Sequence, residues 1–303
     1  MFSAFKYLID LNQNYLFGIY LNLGIIISMN KEDYFINCIK NGKSRFIGDD
    51  AAILNNMSIS QDAFFENVHF KREWMSLYEI AKKAMLVNIS DAIAMNGKPK
   101  YALLTVAIPK NFTYQELKEL AQGFLDIAKA YGVAIIGGDT ISNTKLDISI
   151  TILAQCHRPI HRAGIKVGDL LGFTGSLGES RKELMRLLKG CSIKPNSKFL
   201  EPKLKDSFFY KVAPFIRSAM DISDGLFADL EKLHRINRVG FKFFKPISKM
   251  IGCSAEEYEI LFAFDPRYEK KIKNIAKLTK TKLTIFARAV RKSYKNLCKA
   301  NHF

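Results

Sequence analysis

Hydrophobic residues recur along the chain with two periods, and the period changes from one segment to the next. Spacings of three and four predict helices, whereas strict alternation predicts strands. Up to residue 156 this pattern predicts a helix over 30–41, strands over 48–54 and 56–65, a helix over 76–95, a strand over 101–108, a helix over 113–131, and strands over 133–140 and 146–156. Thr113 and Glu116 have the spacing of a capping box and mark the start of the third helix.

The pattern changes at Arg162. The segments predicted after this point are a strand and glycine-rich loop over 163–175, a helix over 183–190, a poorly patterned stretch over 191–210, an acidic turn opening a helix over 218–236, and a strand, helix and strand over 258–264, 266–280 and 282–290. Alternating strands and helices predict an α/β or α+β fold. We expect two domains, at residues 29–160 and 161–303.

The first 28 residues do not fit the pattern that follows them. Residues 15–27 are mostly apolar, but Asn22 interrupts a run that is already short for a membrane span. Met29 precedes an amphipathic segment typical of the first helix of a soluble domain. We interpret residues 1–28 as an upstream extension with Met29 as the true start; a signal peptide and a membrane tether are the alternatives.

Composition excludes several classes of protein. The chain has 303 residues, 48% of them hydrophobic and 25% charged, which is unlike a disordered protein. The net charge of +17 points to nucleic acid, an anionic surface or phosphorylated substrates, or simply to a lysine-rich composition. The five cysteines are widely spaced without a C-x-x-C pair, so we expect reduced thiols, a cytoplasmic location and no cysteine-based zinc site.

Aspartates at turns are the most informative polar residues. The sequence lacks a Walker A loop, a G-x-G-x-x-G after a strand, H-E-x-x-H and G-x-S-x-G. Several aspartates instead follow apolar runs, in the loops beside rigid elements where functional sites are often found. They are Asp49, Asp50, Asp62, Asp91, Asp139, Asp221 and Asp224. Converging carboxylates would repel one another without cations, and oxygen ligands suit Mg²⁺ shared with phosphates. The spacing therefore favours a magnesium-dependent enzyme acting on phosphates.

The order of motifs adds a resemblance to a known family. GDDAA, S-x-D-x-x-x-E-x-x-HF, NxSDxxAM, GGDT, RxGxxxGD, TGxLG, DISDGL and EEYE-[IL]-LF follow one another between residues 30 and 290. This series resembles the thiamine-monophosphate kinase family, which belongs to the superfamily named for aminoimidazole ribonucleotide synthetase. GGDT is shared across that superfamily, whereas D-x-x-x-E-x-x-HF and the late EEYE element are typical of this member.

The resemblance implies a fold, a reaction and a set of site residues. The implied fold has an N-terminal mixed sheet that pairs into a β-barrel in a homodimer, followed by a C-terminal α/β domain. The implied reaction transfers the γ-phosphate of ATP directly to thiamine monophosphate, with several Mg²⁺ ions and no general base. The implied metal ligands are Asp50, Ser60, Asp62, Asp91, Asp139, Asp221 and Asp224, with Asp139, Asp62 and Asp224 as catalytic residues. ATP would contact Gly138, Asp139, Arg162 and Ser223, and the thiamine substrate would contact His69 and Glu256.

Three positions depart from the family pattern. Gln61 stands where the family usually has threonine, and Ser254-Ala255 replaces two glycines before Glu256. The chain ends in Ala300-Asn301-His302-Phe303, so stacking on the thiamine ring from this end is in doubt. Two rival readings stay open: an enzyme of the same superfamily with another acceptor, and a basic nucleic-acid-binding protein. We expect neither a nucleic acid nor a membrane as partner, since no nucleic-acid-binding module is visible.

Overall fold

The computed structural model describes residues 31–40 and 46–298. Helix α1 spans Lys31–Lys40 and confirms the first predicted helix. The interpretation of residues 1–28 as an extension concerns a part of the chain outside the described residues. Residues 46–300 form one compact unit that contains all the other elements.

The first sheet contains five strands. They are β1 (Ala52–Leu54), β2 (Met57–Phe65), β3 (Lys98–Pro109), β4 (Ala134–Asn143) and β5 (Asp147–Gln155). Their order is β1-β2-β5-β3-β4, and every neighbouring pair is antiparallel except β3 and β4. The parallel pair is joined by helix α3 (Tyr114–Tyr131), as a parallel connection requires. Strands β1 and β4 are therefore the two edges of this sheet.

Helix α2, Leu77–Ala94, is the central element of the compact unit. It begins with a capping box between Ser76 and Glu79, and 14 of its 18 residues are buried. It packs against α3, β2 and β5, and also against residues Ile216–Asp221, which form strand β7 of the second sheet. A helix that is buried on all sides is expected to be apolar on all sides. The few polar residues of α2 are exceptions, and several of them have specific hydrogen-bond or ion-pair partners. The capping box predicted at Thr113 and Glu116 is confirmed in α3.

The second sheet also has five strands. They are β6 (Leu170–Thr174), β7 (Ile216–Asp221), β8 (Gly240–Phe243), β9 (Ile260–Phe264) and β10 (Leu283–Val290), in the order β7-β9-β6-β10-β8. The helices of this region are α4 (Glu179–Leu187), α5 (Asp206–Val212), α6 (Leu226–Asn237), α7 (Lys249–Gly252) and α8 (Glu269–Leu278). Within the described ranges no helix has both the length and the apolarity that a membrane crossing requires.

The mixed α/β architecture was expected, but four short elements were not predicted. Strands β7 and β8 and helices α5 and α7 have seven residues or fewer, too few to show a clear hydrophobic period. The two sheets are joined through residues 156–169, which contain the predicted domain boundary. One hydrophobic cluster nevertheless extends from α2 into the second sheet. The division at 160/161 stays a prediction.

The expectation that all five cysteines are reduced is wrong for one pair. Cys253 and Cys298 form a disulfide with a Cα–Cα distance of 5.5 Å, although they are 45 residues apart. The chain after β10 returns to Cys253 at the end of α7 and to the start of α6, where the hydroxyl of Tyr294 donates a hydrogen bond to the carbonyl of Phe227. The spacing of the cysteines in the sequence could not reveal this proximity, because it arises only when the last strand, β10, pairs between β6 and β8.

Candidate metal centre

Three aspartates from separate elements converge at one point. Asp50 precedes β1, Asp91 lies in α2, and Asp221 ends β7; each offers a carboxylate oxygen within 4.8 Å of the others. Two unit charges at this separation repel by about 3 kcal/mol at an effective dielectric constant of about 20. Oxygen ligands this close together, with so few cations, are what a divalent cation requires.

Asp62 and Asp224 extend this aspartate cluster. Burial raises the pKa of Asp62 from 3.8 to about 6, and the charges of Asp50 and Asp224 add to the effect. Burial also raises the pKa of Asp50 and holds the pKa values of Asp91 and Asp221 well above 3.8. The folded chain therefore resists ionising these groups together, and bound cations would remove that resistance.

Two basic side chains border the cluster. Arg162 contacts Asp50 through its Nε at 3.0 Å and also through a second guanidinium nitrogen. Lys232 lies 2.5 Å from Asp224 and 3.0 Å from Asp229. Burial raises the pKa of Asp229 to about 6, although Lys232 lowers it in part. Arg162 is thus held beside the metal centre, where a guanidinium can meet a phosphate.

Buried oxygens without partners test whether these residues fit a metal. Within the described residues, Oδ2 of Asp50 and Oγ of Ser60 are buried and have no hydrogen-bond partner. An orphaned buried acceptor costs free energy unless something binds it. Carboxylate and hydroxyl oxygens are hard ligands of the kind that Mg²⁺ prefers. The residues present therefore fit magnesium.

Helix α2 positions three members of the cluster, a role that the sequence did not reveal. Asn88 Oδ1 accepts a hydrogen bond of 2.8 Å from the backbone N–H of Asp62, which fixes strand β2 at that point. Ser90 Oγ donates a hydrogen bond of 3.0 Å to Asp221. Asp91, the next residue of the helix, contributes its own carboxylate to the cluster. The sequence signal for this role was the presence of three polar residues within four positions of an otherwise apolar helix.

Asp49 has a larger role than the turn that its sequence position suggests. Its carboxylate accepts a hydrogen bond of 2.7 Å from the backbone N–H of Arg162 and lies 2.7 Å from Nδ1 of His161. The backbone oxygen of Arg162 accepts further hydrogen bonds from Ser218 and Asn237. The direction of the Arg162 side chain is therefore set by contacts on both sides of its backbone.

Asp139 is not brought into the cluster within one chain. Asp139 on β4 pairs with Thr105 on β3, and Thr105 pairs with Ser149 on β5. Ser149 in turn pairs with Ala63 on β2, so Asp139 and Ala63 lie in one row across the sheet. Ala63 is next to Asp62, so Asp139 and Asp62 lie on opposite faces, because successive side chains alternate. Three strand spacings also separate them by about 14 Å. Asp139 is exposed, and its Oδ1 accepts a hydrogen bond from the N–H of Thr140.

Gly138 and Ser223 lie in different settings. A Cβ at Gly138 would be 1.7 Å from the backbone oxygen of Leu104, so only glycine fits there. Ser223 is in the acidic turn after β7, and its carbonyl accepts a hydrogen bond of 2.7 Å from Glu256 N–H. The acidic turn and the late EEYE segment are thus joined directly. Gly138 stays with Asp139 on edge strand β4.

His69 and Glu256 are linked by a chain of contacts. The ring of His69 stacks on Phe64 with 5.7 Å between centroids. Lys83 Nζ lies 5.7 Å from the centroid of Phe64 and 2.7 Å from Oε2 of Glu256. The two residues predicted to contact the thiamine substrate therefore border the same part of the molecule, although they are 187 positions apart (256 − 69).

The departures from the family pattern have clear structural settings. Gln61 lies on the outer face of β2, where its amide group bonds Ser149 at 3.2 Å and Thr151 at 3.0 Å. The left-handed positions of the EEYE segment are Glu256 and Tyr258, with φ of 55° and 49°. The two positions without glycine are not left-handed, so they accept side chains without backbone strain. Residues 299–303 lie outside the described residues.

Comparisons with known proteins agree with this geometry. Residues 48–156 match the family described as AIR synthase related protein, N-terminal domain. Thiamine-monophosphate kinase of Buchnera aphidicola subsp. Schizaphis graminum is 31% identical over 274 residues, covering 80% of this chain and 84% of that protein. The chain belongs to the thiamine-monophosphate kinase family. The resemblance inferred from the motifs is therefore confirmed.

Other members of the family match over a shorter part of their length. The thiamine-monophosphate kinase of Rhodopirellula baltica is 35% identical over 207 residues, which are 64% of this chain and 62% of that protein. A solved structure described as "AaThiL complexed with AMPPCP and TMP" has a TM-score of 0.80 and 24% identity, covering 91% of this chain and all of that one (100%). This likeness confirms the expected mixed α/β fold of the single chain.

Proposed function

We propose that this chain transfers the γ-phosphate of ATP to thiamine monophosphate, forming thiamine diphosphate in a magnesium-dependent reaction. The observation that carries the proposal is the convergence of Asp50, Asp91 and Asp221 within 4.8 Å. Membership of the thiamine-monophosphate kinase family, whose AaThiL structure is described with AMPPCP and TMP, supports the choice of substrates. Because ATP is a substrate, we further infer a cytoplasmic location.

Six residues of this chain are proposed to hold magnesium: Asp50, Ser60, Asp62, Asp91, Asp221 and Asp224. When bound, Mg²⁺ supplies positive charge that neutralises the phosphate oxygens and holds them in place. Phosphoryl transfer depends mainly on positioning and charge neutralisation, so a site rich in carboxylates and without a nucleophile is suited to it.

The other polar residues orient the two substrates. Arg162 is proposed to contact the phosphates of ATP, because its guanidinium lies beside Asp50 and is fixed through Asp49. His69 and Glu256 are proposed to bind the acceptor. The attacking group is a phosphate oxygen that is already anionic at neutral pH, so no side chain has to remove a proton.

A Mg²⁺-dependent assay of the purified chain with ATP and thiamine monophosphate tests the proposal. We expect thiamine diphosphate from the wild type and a loss of about 10²–10³-fold in kcat for Asp91→Asn, as when a charge-stabilising group is removed. Asp126→Asn on the surface of α3 is the matched control. A folded wild type that makes no thiamine diphosphate would refute the proposed reaction.

We also propose that the chain acts as a homodimer through the first sheet. Its edge strands β1 and β4 expose backbone groups, which proteins normally cover or pair. The outer surface carries exposed apolar side chains: Leu54, Phe65, Tyr101, Leu103, Ile136 and Ile141. Two copies that close into a barrel would remove both edges and bury this surface.

The position of Asp139 favours one way of closing that barrel. If β4 of one copy pairs with β1 of the other, the strand that carries Asp139 lies beside the start of the partner's β1, which Asp50 directly precedes. We therefore propose that Asp139 and Gly138 serve the site of the second copy. Mixing Asp139→Asn with Asp91→Asn should then restore about a quarter of wild-type activity, because each hybrid dimer has one intact site. No recovery, with hybrids shown to form, would contradict the proposal.

A further inference from the structure

Lys83 is a lysine buried in the middle of an apolar helix. Its side chain has no exposed area (0%), whereas that of its ion-pair partner Glu256 is 24% exposed. Lysine is almost never fully buried unless it is paired. The pair joins α2 to the EEYE segment, across 173 positions of sequence. The exposed quarter of Glu256 is the part that an entering ligand can reach.

Two aromatic rings fix the ammonium group of Lys83. Its Nζ lies 3.8 Å from the centroid of Phe199 and 5.7 Å from that of Phe64. A cation above an aromatic face is attracted by the ring quadrupole, and more strongly where water is excluded. The ammonium group is therefore held in one place, from which it holds Oε2 of Glu256.

The backbone of Glu256 is fixed independently. Its N–H donates to the carbonyl of Ser223 at 2.7 Å, and its own carbonyl accepts a hydrogen bond of 2.8 Å from Ser180 Oγ. With φ of 55°, Glu256 is in a conformation that non-glycine residues seldom adopt and that surrounding contacts must maintain. Only the direction of the carboxylate is left to be set, and Lys83 sets it.

Helix α2 carries this contact and the metal centre on one face. Lys83 and Ser90 are seven residues apart, almost two full turns, so they lie in line along the helix, about 10 Å apart in rise. Ser90 donates to Asp221 of the aspartate cluster. The same helix thus fixes the distance between Glu256 and the metal centre.

We propose that Lys83 is a positioning residue for the acceptor substrate: it orients Glu256 so that the exposed carboxylate oxygen faces donor groups of thiamine monophosphate at a fixed distance from the aspartate cluster. This inference rests on the proposed function, in which Glu256 contacts the acceptor. Because Lys83 balances the charge of Glu256, the carboxylate acts as a directed hydrogen-bond acceptor rather than as a net negative charge.

Steady-state kinetics of Lys83→Met test the proposal, with Lys82→Met as the matched control. Lys82 is the preceding residue and pairs with Glu201 at 2.6 Å, away from Glu256. We expect Lys83→Met to raise the KM for thiamine monophosphate about 10-fold or more, the loss expected for a hydrogen bond to a charged group. The KM for ATP should stay within about twofold, as for independent sites. Lys82→Met should change neither KM.

Two further variants keep the test decisive. In a Glu256→Gln background, Lys83→Met should add less than about twofold to the KM for thiamine monophosphate, because both changes remove one interaction. Lys83→Arg keeps the cation and should retain more of the affinity for the acceptor than Lys83→Met; it also serves if Lys83→Met does not fold. Equal changes in both KM values, or additive effects in the double variant, would overturn the inference. An inactive wild type would instead refute the proposed function.

Discussion

The aspartates of the candidate metal centre are buried, and so are Glu257 and Glu259 of the EEYE segment, but the two groups differ in their partners. Asp50, Asp91 and Asp221 crowd together, and the guanidinium of Arg162 contacts Asp50. Glu257 and Glu259 share Lys198, which lies 2.8 Å from each. Burial alone does not distinguish a binding site from a structural ion pair, whereas direct contact between each carboxylate and a cation does.

Further hydrogen bonds complete the pairing of the glutamates. Oε1 of Glu257 accepts from Gly178 N–H at 2.7 Å and from Ser254 Oγ at 2.6 Å. Thr174 Oγ1 donates to Glu259 at 2.7 Å. Among the described residues, Oε2 of Glu257 accepts no hydrogen bond but lies 2.8 Å from the ammonium group of Lys198, whereas Oδ2 of Asp50 is buried without a hydrogen-bond partner. Glu257 and Glu259 therefore find their partners within the chain, whereas Asp50 leaves an oxygen for a ligand.

The largest expected effect comes from breaking the paired region. Lys198→Met removes the ammonium group that Glu257 and Glu259 share and should destabilise the protein by about 3–5 kcal/mol, as for a broken buried ion pair. Chemical denaturation of the metal-free protein measures this change. A loss below about 1 kcal/mol would mean that this pair resembles an exposed one and that the comparison fails.

Neutralising one aspartate of the cluster should change the stability of the metal-free protein in the opposite direction. Asp91→Asn removes one of the mutually repelling carboxylates, so the metal-free protein should become more stable by about 1–3 kcal/mol. The same denaturation experiment, repeated in saturating Mg²⁺, should show the gain shrink or reverse, because the variant binds the metal less well. Destabilisation without metal would indicate that Asp91 has a structural partner.

The pH dependence of stability should also separate the two regions. Because burial holds the pKa of Asp62 at about 6 rather than 3.8, the folded state keeps a proton that the unfolded chain has released. The free energy of unfolding of the metal-free protein should therefore fall as pH rises from about 4 to about 6. Mg²⁺ should raise the Tm more at pH 7 than at pH 5. An equal shift at both values would contradict the assignment of the aspartates as ligands.

The smallest effect is expected at Gln61. Its side chain lies on the outer face of β2, bonded to Ser149 and Thr151, and not on the side of Asp62. Gln61→Thr should therefore change the Mg²⁺ dependence of activity by less than about twofold and stability by less than about 0.5 kcal/mol. A marked gain in metal affinity would show that a hydroxyl at this position reaches the metal after all.

Much of the candidate metal centre could be anticipated from the sequence, because its proposed ligands belong to motifs with characteristic spacing. Asp221 and Asp224 stand in DISDG, and Asp91 in NxSD. The alternation of β2 also placed Ser60 and Asp62 on one face. Asp139 shows the limit of this reasoning, since a motif names a ligand without saying on which face of a sheet, or near which copy, it will lie.

The lysines that pair with buried acids could not be anticipated. Lys83 follows Lys82 in sequence, and nothing in the pattern shows that one is buried and the other partly exposed. Lys198 lies in the stretch over 191–210, which has no clear hydrophobic period. Long-range ion pairs depend on how distant elements pack, so local periodicity carries no signal for them.

The exposed edge strand β4 has a consequence for how activity would respond to dilution. If Asp139 completes the site of a second copy, a single chain holds no complete site, and the number of working sites follows the monomer–dimer equilibrium. Specific activity would then fall as the protein is diluted below the dissociation constant of the dimer, and would recover when an inactive copy carrying an intact Asp139 is added in excess. Association would thus act as a concentration threshold on the proposed reaction.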